Sequence, residues 1–182
     1  LPHTKFKDLW AVLSRDINER HILLYSTNNQ VQSVLEDVGW AGRLEPLTGD
    51  GLALVDANLA SLKTDRVIQR AIDYNIKFEN EKILATTTIT YHHKEGTFSS
   101  MVTRYRTYLR LYVPLGSKLI SSQGAEIATP RSEKPGTVDT FEELGRTVFG
   151  AFKSVEPGTD ESISFTYELP SNIIHDNKYE LL

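Results

Sequence analysis

The chain has 182 residues, 40% hydrophobic and 24% charged, which suits one globular core or a sandwich with a small appendage. Its net charge of -4 argues against a dedicated nucleic-acid binder, because such domains carry a clustered basic excess. Without cysteine there is neither a disulfide framework nor a thiolate metal site, and no apolar run nears the roughly 18 residues of a membrane-crossing helix.

In chain order, Phe6, Leu9, Trp10, Leu13 and Ile17 recur at helical spacing between charged residues, an amphipathic helix. His21 to Tyr25 reads as a short apolar strand. Asn28 or Asn29 caps a second helix with Val31, Val34, Leu35 and Val38 inward, stopped by Gly39. Residues 1–45 therefore read as a helix-strand-helix segment, the end of a preceding domain. After the turn at Thr48 to Gly51 the pattern becomes β. Leu52 to Val55 is a short strand, and from Val67 to Phe78 the residues Ile68, Ile72, Tyr74, Ile76 and Phe78 share one face. The run KILATTTITYHH sets Ile83, Ala85, Ile89 and Tyr91 against Thr86, Thr88, Thr90 and His92. Met101 to Val113 repeats the alternation, and further strands are expected at Lys118 to Ser121, Thr147 to Val155 and Ser162 to Leu169, with Gln123 to Thr137 a long loop. One polar face per strand and Gly/Pro turns between them predict an α+β, mainly β fold: an antiparallel β-sandwich, Ig-like or similar, over 46–182.

Chemistry-bearing spacings are scarce. His92 and His93 are adjacent in a strand, so they point to opposite faces and do not share a metal; they read as exposed. No HExxH, GxSxG, Walker or GxGxxG pattern occurs, so no cofactor is expected. The acid pairs Glu142-Glu143 and Asp160-Glu161 read as solvated turn residues. One surface has the composition of a ligand-binding face: Arg104, Arg106, Tyr108, Arg110 and Tyr112 alternate along one strand. Guanidinium forks suit phosphate or carboxylate oxygens and phenol rings suit sugars, so an anionic polymer is the ligand class. The plainer reading is a solvent-facing sheet whose Arg stems cover Thr86, Thr88 and Thr90 on a paired strand.

The stretch VDANLASLKTDRVIQR (55–70) also invites a site. Asp56, Asn58, Ser61, Lys63, Thr64 and Asp65 bring carboxylates, an amide and an amine together. A Ca²⁺ loop needs more oxygen ligands and a glycine at its bend, where Leu59, Ala60 and Leu62 stand. The expectation is a connector, with Asp56 and Asn58 bonding their own backbone and Lys63 pairing with Asp65.

Several blocks in order, RHILLYSTNNQVQSVLEDVGWAG, TGDGLALVDANLASLKTDRVIQRAIDY, YRTYLRLYVPLGSKLISSQG and GRTVFGAFKSVEPGTDESISFTYELP, resemble the bacterial family of domain of unknown function 4012. Within that resemblance Asp56, Asn58, Lys63 and Asp65 are a fingerprint rather than a site. It implies a large envelope protein with an N-terminal membrane anchor and an outside-facing body. The chain, from Leu1 to the strand-like Tyr179-Glu180-Leu181-Leu182, is then expected to be a piece of that longer protein, with the anchor outside it and no membrane insertion of its own. Three function classes follow: a non-catalytic structural or interaction module of the cell surface, a binder of anionic cell-wall or capsular polymer, and an accessory part of an envelope enzyme. The third requires that acids or histidines among Asp50, Asp56, Asp65, His92 and Glu95 meet in the fold.

Overall fold

A computed structural model describes residues 3–43, 49–60, 62–79, 82–129, 134–175, 178–179 and 181. Ser61, Thr48 and the terminal Glu180 and Leu182 lie outside the described residues. The chain divides into two compact units, Leu1–Pro46 and Leu47–Leu182.

In the first unit the helical periodicities form α1 (His3–Asn18) and α2 (Asn29–Asp37). Asn28 caps α2, its side-chain oxygen accepting from the amides of Gln30 and Val31 at 3.0 and 3.2 Å, which satisfies two of the helix's orphan donors. Gly39, with φ +74°, follows the last turn in the left-handed conformation that suits glycine. The strand expected at His21 to Tyr25 does not form. A strand needs a neighbour to take its backbone groups along its length, and here the amides of His21 and Ile22 turn back to the Asp16 carbonyl at the end of α1 while Leu24 N–H donates to the Trp40 carbonyl at 2.9 Å. The helices keep much of their apolar side in the open: Phe6, Leu9, Trp10, Val31 and Val34 are each about half exposed or more.

In the second unit, period-two alternation builds two sheets. The strands are β1 (Ala53–Asn58), β2 (Ile68–Glu79), β3 (Lys82–His93), β4 (Tyr105–Val113), β5 (Lys118–Gln123), β6 (Asp139–Glu143), β7 (Arg146–Val155), β8 (Asp160–Leu169), β9 (Ile174–His175) and β10 (Lys178–Tyr179). One four-stranded sheet runs β1-β4-β7-β6 and the other β2-β3-β8-β5, every pairing antiparallel, with β9 and β10 as a small hairpin. The chain passes repeatedly from one sheet to the other, so the two halves are interleaved. Their facing sides close over Ile89, Tyr91, Tyr105, Leu109, Leu111, Phe149, Ile163, Phe165 and Tyr167, all with 0–1% exposure. Phe149 of β7 meets Phe165 and Tyr167 of β8, ring centres 6.1 and 5.2 Å apart, which locks the sheets face to face. Each such side chain contributes about 1.5–3 kcal/mol by leaving water, so this layer holds the β unit together. The antiparallel β-sandwich is therefore the fold.

Some boundaries differ from the sequence expectation. β1 runs on through Asp56 to Asn58, so these residues are in a ladder, not a turn. The connection begins after them and includes a 3₁₀ turn at Thr64–Val67. Residues 101–104 are not strand, and β6 arises from the polar segment DTFEE, turning into β7 through Leu144 and Gly145 at φ +53° and +71°. The primed geometry of that turn matches the twist of the hairpin. The loop expected at Gln123 to Thr137 carries an ordered contact: Glu126 bridges Phe152 of β7 and Pro135.

Candidate functional site

Period two places Arg106, Tyr108, Arg110 and Tyr112 along the outward side of β4, with Arg104 just before the strand, because Tyr105, Leu109, Leu111 and Val113 fill the core. β4 is a central strand of its sheet, paired with β1 and β7, whereas Thr86, Thr88 and Thr90 belong to β3 in the other sheet. Arg stems covering those threonines is thereby ruled out by topology. The row meets carboxylates instead. Arg110 Nη1 lies 3.0 Å from Glu143 Oε2 of β6, and Tyr112 donates its hydroxyl to the same carboxylate. Tyr108 donates to Asp139 of β6 at 2.8 Å and packs its ring on Phe152, 4.8 Å between centres. Arg104 pairs with Glu156 in the β7–β8 turn. Arg106 is buried: it donates to Ser154 Oγ at 2.6 Å and the Ile127 carbonyl at 2.7 Å, with Glu126 at 3.5 Å. Burial, then the hydrogen bond to Asp139, pushes the Tyr108 phenol up to about 12; burial, then Glu143, raises Tyr112. Both phenols are thus held as neutral donors to acids.

Beside the row, Lys153 is buried between Glu161 at 2.8 Å and Glu126 at 3.4 Å. These residues border a polar cleft of about 330 Å³ with Gly124, Ser154 and Glu156. A second opening of about 440 Å³ has Leu59, Phe98, Thr103, Arg104 and Arg106 on its walls. In each acid pair read as solvated one member is a partner in the fold, Glu143 holding Arg110 and Tyr112 and Glu161 holding Lys153, whereas Glu142 and Asp160 are exposed, Asp160 meeting His92 Nδ1 at 2.9 Å. His93, read as exposed, is buried, its Nε2 3.0 Å from the Thr103 carbonyl oxygen. It does point away from His92, as strand geometry requires.

The 55–70 stretch folds into a polar cluster between the sheets. Arg70 of β2 reaches across to β1, placing Nε 2.5 Å from Asp56 Oδ2 and Nη2 2.6 Å from Asp65 Oδ1. Tyr91 and Thr107 both donate to Asp56 Oδ1 at 2.8 Å, and the Tyr105 hydroxyl lies 2.8 Å from Arg70 and 3.1 Å from Asp65. Asp65 therefore pairs with Arg70, not with Lys63, whose amide instead donates to the Met101 carbonyl at 2.9 Å. Asp56 makes no turn of its own. Burial, the largest single influence, opposes the charge on Arg70, but Asp56, Tyr105 and Asp65 together outweigh it and hold the guanidinium above its usual range. Burial, then Asp56, raises Tyr91 and pushes Tyr105 up to about 12.

Sequence reasoning missed another such cluster. Asp50 is fully buried, and Tyr74 and Tyr179 both donate to its Oδ2. Among the described residues its Oδ1 has no hydrogen bond. Tyr167 bonds onward to Thr87 at 3.0 Å. A lone Asp in TGDG carries no local signal of this, because its partners lie 24 and 129 residues away. Of the five groups whose meeting an enzyme reading requires, Asp56 and Asp65 come together, but around Arg70. Among the described residues, no three His, Asp or Glu side chains are placed to hold a metal ion, and no helix is long and apolar enough to cross a membrane. No family model, curated protein or solved structure matches the chain.

Proposed function

We propose that this chain is a non-catalytic β-sandwich module of a bacterial cell-envelope protein, related to the domain of unknown function 4012 family and serving a structural or interaction role outside the membrane. The observation that carries this reading is the internal pairing of its polar chemistry. Each Arg of the β4 row meets a Glu of the chain itself, and the buried Asp56 and Asp50 face Arg and Tyr donors rather than an opening. A binder of anionic polymer would have to exchange those Glu partners for its ligand, gaining little net electrostatic energy. An envelope partner protein is the simpler occupant of such a surface. The location and family rest on the sequence blocks given above. Antibodies raised against the purified chain should label intact, unlysed cells of the source bacterium, and the chain should stay in the supernatant when mixed at low salt with sacculi or teichoic acid. Labelling only after lysis would overturn the envelope assignment. Pelleting that is lost in Arg104→Ala with Arg110→Ala would replace the module reading with polymer binding.

A further inference from the structure

Four strand edges end the two sheets, and three of them are blunted. β5 is kinked by a register shift between Leu119 and Ser121, while β1 and β6 span only 6 and 5 residues. β2 is different. It has 12 residues, no bulge against β3, no glycine and no proline, and among the described residues no strand lies beyond it. A long regular edge is a template for another strand unless it is protected.

Its hydrogen-bonding phase can be read from the ladder. Lys94 N–H donates to the Val67 carbonyl at 3.0 Å, so the odd-numbered residues of β2 turn their amides and carbonyls toward β3. The even-numbered ones, Ile68 to Phe78, present theirs to the free edge. An added antiparallel strand must therefore pair even with even. For a second β2 related by a two-fold axis, this leaves few registers. Centring on Asp73 or on Lys77 sets like charges face to face, and centring on Ile76 opposes Asp73 and Glu79. Centring on Asn75 sets Asp73 against Lys77 of the other copy twice, and Ile72 against Phe78 twice, with Tyr74 beside Ile76. Centring on Tyr74 leaves both charges opposite neutral residues.

The Asn75 register answers what the single chain leaves open. Ile72 and Phe78 are 45% and 62% exposed although they lie on the core-facing side of β2. Among the described residues neither Asp73 nor Lys77 has an ion-pair partner, the only bond of Asp73 being the one it accepts from Asn75. We propose that the free edge of β2 is an interaction surface for a second copy of this chain, joined antiparallel about a two-fold axis at Asn75 into one continuous eight-stranded sheet. The same two charges disfavour a mismatched strand, which makes the edge selective rather than merely sticky. This surface stands independently of the envelope assignment.

The absence of cysteine makes the register testable. At the axis, Asn75 faces its own copy in a non-hydrogen-bonded pair with Cα atoms about 4.5 Å apart, inside disulfide range. Asn75→Cys should form a covalent dimer quickly with diamide as oxidant, whereas Lys77→Cys, about 13 Å from its copy along the strands, should not. In sedimentation equilibrium from about 1 µM to about 1 mM, the wild-type chain should shift from monomer toward dimer. Lys77→Asp should remain monomeric, and Asp73→Lys combined with Lys77→Asp should regain the dimer. A wild-type chain that stays monomeric throughout, a dimer indifferent to Lys77→Asp, or equal crosslinking at both cysteine positions overturns the proposal.

Discussion

Replacing Arg70 with methionine isolates the contribution of the polar cluster between the sheets. Methionine keeps most of the stem's volume and removes the guanidinium. Asp56 then retains the Tyr91 and Thr107 hydroxyls, but both of these serve Oδ1; among the described residues the only hydrogen bond to Oδ2 is from Arg70. The Asp56 side chain is 7% exposed, so water cannot replace the missing donor. Stripping one partner from a buried ion pair costs about 3–5 kcal/mol, and the 29% exposure of the Arg70 side chain places this pair at the low end, about 3 kcal/mol. For a chain of this length that is a fall in Tm of about 6–12 °C. Asp65→Asn, at a side chain 56% exposed, removes the outer bond only and should cost no more than about 1 kcal/mol. Arg70→Met combined with Asp56→Asn removes the stranded charge and should recover at least about 1 kcal/mol relative to Arg70→Met alone. Urea unfolding at neutral pH measures all four proteins. If Arg70→Met lies within about 0.5 kcal/mol of wild type, or the double variant is no more stable than Arg70→Met, the cluster is not the buried ionic system described.

Alkaline titration should show a native state that withholds phenol protons. A phenol in an unfolded chain ionises near 10, whereas burial, followed by Asp56 at Tyr105 and Asp139 at Tyr108, and at Tyr167 burial with Asp50 against the opposing hydrogen bonds of Thr87 and Tyr74, places all three at about 12. Protons held by the folded form and lost by the unfolded one mean that stability is intact below about pH 10 and declines between about 10 and 12. The urea midpoint and tyrosinate absorbance, followed together, check this; a native titration with one midpoint near 10 for all eight tyrosines would be incompatible with it. Gly136→Ala should destabilise by more than about 2 kcal/mol, because its Cβ would lie 2.0 Å from the Glu126 carbonyl oxygen, a backbone atom that cannot swing aside. A Gly136→Ala protein with an unchanged urea midpoint would mean that the 126–135 bridge yields freely.

How much of this was legible in the chain depends on the range over which each feature is encoded. The β3 run is buried at every second residue from Ile83 to His93, as its spelling requires, since alternation is a property of neighbouring residues. β4 has the same alternation, yet Arg106 and Tyr112 on its other face are both buried. Nothing nearby announces that Glu126, Asp139 and Glu143, 20 to 33 residues downstream, will cover that face. HILLY failed in the opposite way: its composition suits a strand, but strand formation is decided by a partner that the first unit does not provide. DTFEE was passed over because an edge strand with an open face needs no apolar stripe.

The residues that looked most like sites, the Arg/Tyr row and the acids of 55–70, share one physical cause for that appearance. A sandwich whose chain passes repeatedly between sheets must carry some charge into or along its core, and each such charge needs an opposite partner from another strand. In sequence, such a residue has the type and isolation of a ligand-binding group, because its partner is far away in the chain. Arg70 with Asp56, 14 residues apart, and Arg110 with Glu143, 33 apart, are halves of that kind. Asp73 and Lys77 are the contrasting case. They look like ordinary solvated strand charges, and among the described residues no opposite charge of their own chain pairs with either, which leaves both available to the second copy proposed above. The search for function in this protein therefore belongs at the edge of β2 before the cationic row of β4.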